Sequence, residues 1–168
     1  MNPKKSSARN YAFIDGNNLY LGAKNQKIRL DYGKFRKYLR GKYSVEKAFL
    51  FIGYSQVNIE LYSELQNSGF ILVFKPTIPY VDERGHKTMK GNVDAELVLH
   101  ASAIEYANYN QAVVVTGDGD FACLMKYLEK NNKLCKIIVP TVKYSKLLRP
   151  YNGYILPLAV ISKKISSK

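Results

Sequence analysis

Short runs dense in β-branched and aromatic residues recur along this chain, separated by segments whose apolar residues repeat every three to four positions. The runs at 11–15, 45–54, 70–74, 112–116 and 135–139 read as strands, and 154–158 reads as a sixth. Between them, 31–43 carries Phe35, Tyr38 and Leu39 at helical spacing behind Asp31 as N-cap. Residues 58–67 place Leu61, Tyr62 and Leu65 on one face, and Gly69 stops that helix. Val93, Leu97, Ala101 and Ile104 stripe a helix over 93–106, and a further helix is expected over 121–130. Strands that are apolar throughout, rather than alternating, belong to a sheet covered on both faces. Their alternation with helices predicts an α/β fold with a mainly parallel central sheet of five to six strands.

The chain has 168 residues, enough for one domain. Residues 1–10 read as a flexible basic arm, 11–160 as the domain and 161–168 as a flexible tail. The stretch 76–91 is a long connection in which Glu83, Arg84 and Gly85 are expected to turn a small hairpin. Two cysteines, Cys123 and Cys135, make no disulfide framework, and with His86 and His100 they make no convincing structural zinc site. The basic N-terminus lacks a long apolar core, and no run reaches the roughly 18 apolar residues of a membrane span. The expectation is a cytoplasmic protein without a membrane partner.

Parallel sheets of this kind bind ligands beyond the carboxyl ends of their strands, and the aspartates concentrate there. Asp15 ends the first strand in Phe13-Ile14-Asp15-Gly16-Asn17-Asn18. Asp118 and Asp120 follow the fourth in Thr116-Gly117-Asp118-Gly119-Asp120. Asp94 opens the helix that carries Leu97, Val98 and Ala101, and its spacing puts it on the inward face. Aspartate is a favoured cap, so each taken alone has an ordinary structural explanation. Four carboxylates brought together need a cation or raised pKa values, and such hard oxygen donors suit Mg²⁺ or Mn²⁺.

Around these acids the chain is strongly basic, with 26 Lys and Arg against 13 Asp and Glu and a net charge of +13. A polyanion is the natural complement. Lys34, Arg36, Lys37, Arg40 and Lys42 crowd one expected helix, and Lys126, Lys130, Lys133, Lys136, Lys143, Lys146 and Arg149 crowd the C-terminal part. A solvated face is the ordinary fate of such runs; the one-sided excess favours a phosphate-binding surface. Lys75 ends the third strand and Lys90 precedes Asp94, so both are candidates to touch phosphate. Tyr20, Tyr54 and Tyr80 fall near expected loop ends where they could stack on bases. An acidic pocket within a basic rim is the electrostatic plan of a metal-dependent nuclease.

The three segments Phe-Ile-Asp-Gly-Asn-Asn-Leu, Lys-Gly-Asn-Val-Asp-Ala-Glu-Leu and Val-Thr-Gly-Asp-Gly-Asp-Phe, in that order and spacing, resemble the NYN domain family of PIN-like nucleases, and within it the LabA-like (DUF88) group. The resemblance extends over about 11–160. It implies a PIN-like three-layer α/β/α sandwich and a divalent-metal site built from Asp15, Asp94, Asp118 and Asp120. It implies Asn17, Asn18 and Thr116 as polar residues orienting water or carboxylates, and RNA as the commonest substrate.

The expected reaction is hydrolysis of RNA phosphodiesters, single-stranded RNA above all, by water activated at a metal, and the resemblance implies products with 5′-phosphate and 3′-hydroxyl ends. Such chemistry does not need the 2′-hydroxyl, so DNA stays open as a substrate. His100 falls mid-helix and reads as structural. Two other readings compete. One is a non-cleaving RNA-binding module of the same fold. The other is a haloacid-dehalogenase-like phosphatase, which would need a second aspartate where Asn17 stands. A regulatory protein partner and a monomeric or homodimeric state complete the expectations.

Overall fold

In the computed structural model the described residues are 9–75, 78–81, 83–85, 87–90 and 93–167. Six strands form one all-parallel sheet: β1 (Asn10–Asp15), β2 (Val45–Gly53), β3 (Ile71–Lys75), β6 (Ala112–Val115), β7 (Leu134–Val139) and β8 (Ile155–Pro157). Their order across the sheet is β3-β2-β1-β6-β7-β8. Between β3 and β6 in the chain, β4 (Ile78–Val81) and β5 (Lys87–Lys90) make the expected antiparallel hairpin, with Gly85 at φ +80° in its turn. Asp82 and His86 lie outside the described residues.

The period of two along β1 divides the core. Tyr11 and Phe13 point to one face, where α4 (Asp94–Leu99), α5 (Ala122–Lys130) and a 3₁₀ run over Lys146–Tyr154 cover them. The Phe13 and Phe49 rings stack there with centroids 5.6 Å apart. Ala12 and Ile14 point to the other face. That face is covered by α1 (Gly16–Asn25), α2 (Tyr32–Tyr43), α3 (Ile59–Asn67) and α6 (Ser162–Ile165), through Leu19, Phe35, Leu39, Leu65 and Ile165. Each such side chain, fully buried, contributes about 1.5–3 kcal/mol. Two helical layers on a parallel sheet give the expected three-layer sandwich.

Local signals explain most boundaries. Asp31 caps α2 by accepting the Lys34 amide at 2.8 Å, and Ser44 in the left-handed region ends it. Gly69, at φ +91°, turns the chain after α3. The helix expected over 93–106 is instead α4 followed by a π-helical turn over His100–Ile104. There the His100 Nδ1 bonds the Glu96 carbonyl at 2.8 Å and the ring packs on Phe51, the structural role expected of it.

Both termini differ from expectation where they are described. Asn10 is buried in β1, its side chain bridging the Tyr43 carbonyl and the Gln111 amide. Residues 161–167 are docked rather than loose: Ile165 is buried, Ser166 bridges to Leu30, and the Ser167 amide donates to the Arg29 carbonyl. The apolar spacing of Leu158, Ile161 and Ile165 supplies the cause, since it gives the tail a face to bury.

Candidate metal centre and its approach

The order in which successive strands are laid down reverses at the seam between β1 and β6. From β1 the chain proceeds to β2 on one side, and from β6 to β7 on the other. The crevice at the carboxyl ends of these two strands is where such folds bind ligands. Asp15 is the last residue of β1, and Thr116 to Asp120 follow β6.

Asp15 is buried, with only 6% of its surface exposed. One carboxylate oxygen caps α1 by accepting the Asn18 amide at 3.1 Å; the other receives the Thr116 hydroxyl at 3.5 Å. That hydroxyl in turn accepts the Asp118 amide at 3.2 Å. The Asn18 side-chain oxygen accepts the Gly117 amide at 2.9 Å. Two side chains thus tie the end of β1 to the turn after β6. Asp118 caps the short 3₁₀ turn Gly119–Phe121 by accepting the Asp120 amide at 3.0 Å. Asp94 is the first residue of α4, whose cap residue is Val93 and not an aspartate.

Two overlapping sets of carboxylates result. Asp15, Asp94 and Asp118 line one pocket of about 390 Å³ together with Asn17 and Asn18. Asp94, Asp118 and the exposed Asp120 each present an oxygen such that all three lie within 4.8 Å of one another. Asp94 and Asp118 belong to both sets. Burial pushes the Asp15 carboxyl up to about 6, the Asn18 amide opposes this, and the Asp94 and Asp118 charges add to the rise. The donor set is all carboxylate oxygen, which fits a hard divalent cation such as Mg²⁺ or Mn²⁺. A dication also offsets the mutual repulsion that lifts Asp15.

The remaining residues singled out in the sequence separate by position. Asn17 is exposed and lines the acid pocket. Lys75 ends β3 and its carbonyl accepts the Tyr54 amide at 3.0 Å, so both stand at the carboxyl edge of the sheet. The Tyr54 ring is 46% exposed and meets Phe74 edge-on at 5.7 Å. The Tyr80 and Lys90 side chains lie outside the described residues. The α2 cations do not join this group. Arg36 donates to the carbonyls of Gly69, Val45 and Glu46, at the start of β2 and just before β3. That is the amino edge of the sheet, opposite the acids. Arg40 lies one turn further toward the start of β2, and Lys37 is exposed beside Arg36. Lys34 donates to the Ser166 carbonyl at 2.8 Å. Charge density on one helix face suggested a phosphate surface, but Arg36 is engaged by backbone carbonyls at the amino edge and Lys34 by the Ser166 carbonyl.

Sequence reading passed over Thr141 and Lys143 as pocket residues, although both line the acid pocket. They follow β7, and the rule that ligands gather after parallel strands could have found them. It also passed over α1, whose Gly22 lies against Pro140 in that same loop and whose Gln26 side chain donates to the Pro140 carbonyl.

The NYN domain family model matches residues 10–155 of this chain. No curated protein matches it. The fold is similar to the crystal structure of a protein of unknown function from Vibrio parahaemolyticus. That likeness has a TM-score of 0.69 and 24% sequence identity and covers 93% of this chain and 96% of that one.

Proposed function

This chain belongs to the NYN domain family, and from that premise we propose that it is a divalent-metal-dependent ribonuclease of the LabA-like group, hydrolysing single-stranded RNA to 5′-phosphate and 3′-hydroxyl ends. The family implies a nuclease of the PIN-like superfamily. The observation that carries the reading further is the convergence of Asp15, Asp94 and Asp118 on one pocket at the β1/β6 seam.

Asp94 and Asp118, shared by both carboxylate sets, would hold Mg²⁺ or Mn²⁺, with Asp120 completing the cluster from its exposed side. Bound there, the cation supplies Lewis acidity that makes water a nucleophile at neutral pH and offsets charge on the phosphoryl oxygens. Asp15 closes the pocket from the sheet side, and burial fixes its carboxylate through Asn18 and Thr116. Asn17 faces the pocket and can orient water or a phosphate oxygen. Lys143, exposed on the opposite wall, is placed to meet a phosphate.

A non-cleaving RNA-binding module is the competing reading, favoured by one observation: Asp15 and Asp118 both serve as helix caps. A 5′-labelled single-stranded RNA incubated with Mn²⁺, Mg²⁺ or EDTA separates the two. Metal-dependent fragments are expected. Tight binding with no cleavage under any metal condition would favour the binding module.

A further inference from the structure

Three neighbouring cavities share lining residues on this surface. The acid pocket shares Asn17 and Val93 with a second cavity of about 490 Å³. The second shares Tyr20, Tyr32 and Leu61 with a third of about 590 Å³. The chemistry changes along this line. The first carries three aspartates and Lys143. The second has no charged side chain among its described lining and offers two phenol rings and the amides of Asn17 and Asn58. The third is rimmed by Lys24, Lys27 and Arg29, all exposed, with no acid among its described lining.

Two details of α1 and its end fit a ligand that is both planar and anionic. The Tyr20 ring is 51% exposed, and the Lys24 Nζ lies 5.9 Å from its centroid. An open ring flanked by a cation is the pairing that holds a base and its phosphate. Lys27 sits in the left-handed region at φ 55°, where glycine is the default and a side chain costs roughly 1 kcal/mol. The backbone there would be easier with no side chain, yet the residue present puts an ammonium on the cavity rim.

We propose that this groove is the binding track for single-stranded RNA. The inference rests on the nuclease reading above. With a phosphate at the acid pocket, the uncharged cavity takes an unpaired base next to it, and Lys24, Lys27 and Arg29 take phosphates further along the strand. A base within a duplex is stacked and paired and does not enter such a cavity, so the track selects single strands. It runs along α1 and past Tyr32 at the start of α2.

The test is binding, not cleavage. Fluorescence anisotropy is measured in EDTA with a labelled unstructured 12-nucleotide RNA and with the same sequence in a blunt RNA duplex. Wild type is expected to hold the single strand at least about tenfold tighter. Tyr20→Ala is expected to weaken single-strand binding about tenfold. Lys27→Gly is expected to weaken it severalfold while the melting temperature stays level or rises, which a structural role for Lys27 would not give. The pair Lys37→Ala and Arg40→Ala, at the other edge, is expected to leave affinity unchanged. Equal affinity for duplex and single strand would overturn the track. So would groove variants that bind like wild type, and if wild type still binds and cuts RNA, the nuclease reading survives that result. An absence of RNA binding by wild type would overturn both.

Discussion

The Thr116 hydroxyl reaches the Asp15 carboxylate across the seam between β1 and β6, a contact of 3.5 Å between residues 101 positions apart. The same oxygen accepts the Asp118 amide, so one hydroxyl spans two of the four aspartates. Thr116 is fully buried. Thr116→Val keeps the shape and removes both bonds, and a loss of about 1–3 kcal/mol in urea unfolding is expected. Thr116→Ser keeps the hydroxyl and should recover most of that stability. A valine variant as stable as wild type would mean that the seam is held by packing alone.

The four aspartates are not expected to be equivalent. Asp94 and Asp118 belong to both the pocket and the ligand cluster, so Asp94→Asn and Asp118→Asn should each lower metal-dependent RNA cleavage by on the order of 10²-fold or more. Asp120 is exposed and does not line the pocket, and Asp120→Asn should cost less. Single-turnover cleavage of one labelled RNA by the three variants ranks them. An Asp120 variant as inactive as the Asp118 variant would move the reacting phosphate toward the 3₁₀ turn.

Asp15 makes stability depend on pH in a direction opposite to that of a salt-bridged aspartate. Its folded-state pKa is about 6, against 3.8 for the unfolded chain. Between those values the folded protein holds the extra proton, so stability falls as pH rises through that window. Without metal the loss from this group is at most about 3 kcal/mol. Urea titrations in EDTA at pH 4.5 and pH 7 should show this decline in wild type and a flatter profile in Asp15→Asn. Parallel profiles would assign the proton elsewhere.

Arg36 resembles a nucleic-acid contact in sequence and serves as a clamp in the fold. Its guanidinium meets three backbone carbonyls at the start of β2 and just before β3. Arg36→Ala should lower stability by about 1–3 kcal/mol with little change in RNA affinity at a temperature where the variant is folded. A variant of unchanged melting temperature that had lost RNA binding would reverse this assignment.

What the sequence made legible follows from how local each signal is. Strands β1, β2 and β7 are long apolar runs, and the cap on α2 and the glycine after α3 are local in the chain, so these could be read directly. The aspartates could be singled out because strand ends and helix starts are places fixed by local pattern. Helix α1 left little trace: Gly-Asn-Asn-Leu-Tyr-Leu-Gly-Ala-Lys-Asn has two glycines, three asparagines and only Leu19 and Ala23 on its buried face. Its cap, Asp15, is local, but the helix forms because the sheet receives that face, and that is a tertiary fact. The division of the cations between the two edges was hidden for the same reason. Lys37 and Lys24 look alike in a sequence, and only their places in the fold separate them.

The acid cluster joins the first strand of the domain to segments roughly eighty to a hundred residues later. Asp15 lies in the sheet's interior strand, and its partners Asp94, Asp118 and Asp120 follow after most of β2, β3 and the hairpin have been made. During synthesis the first aspartate emerges roughly a hundred residues before the last, and the seam closes only once β6 has paired with β1. A nascent chain therefore carries its first carboxylate next to the message that encodes it without an assembled centre. On the proposed nuclease reading, the centre assembles only once Asp94, Asp118 and Asp120 have emerged and β6 has paired with β1.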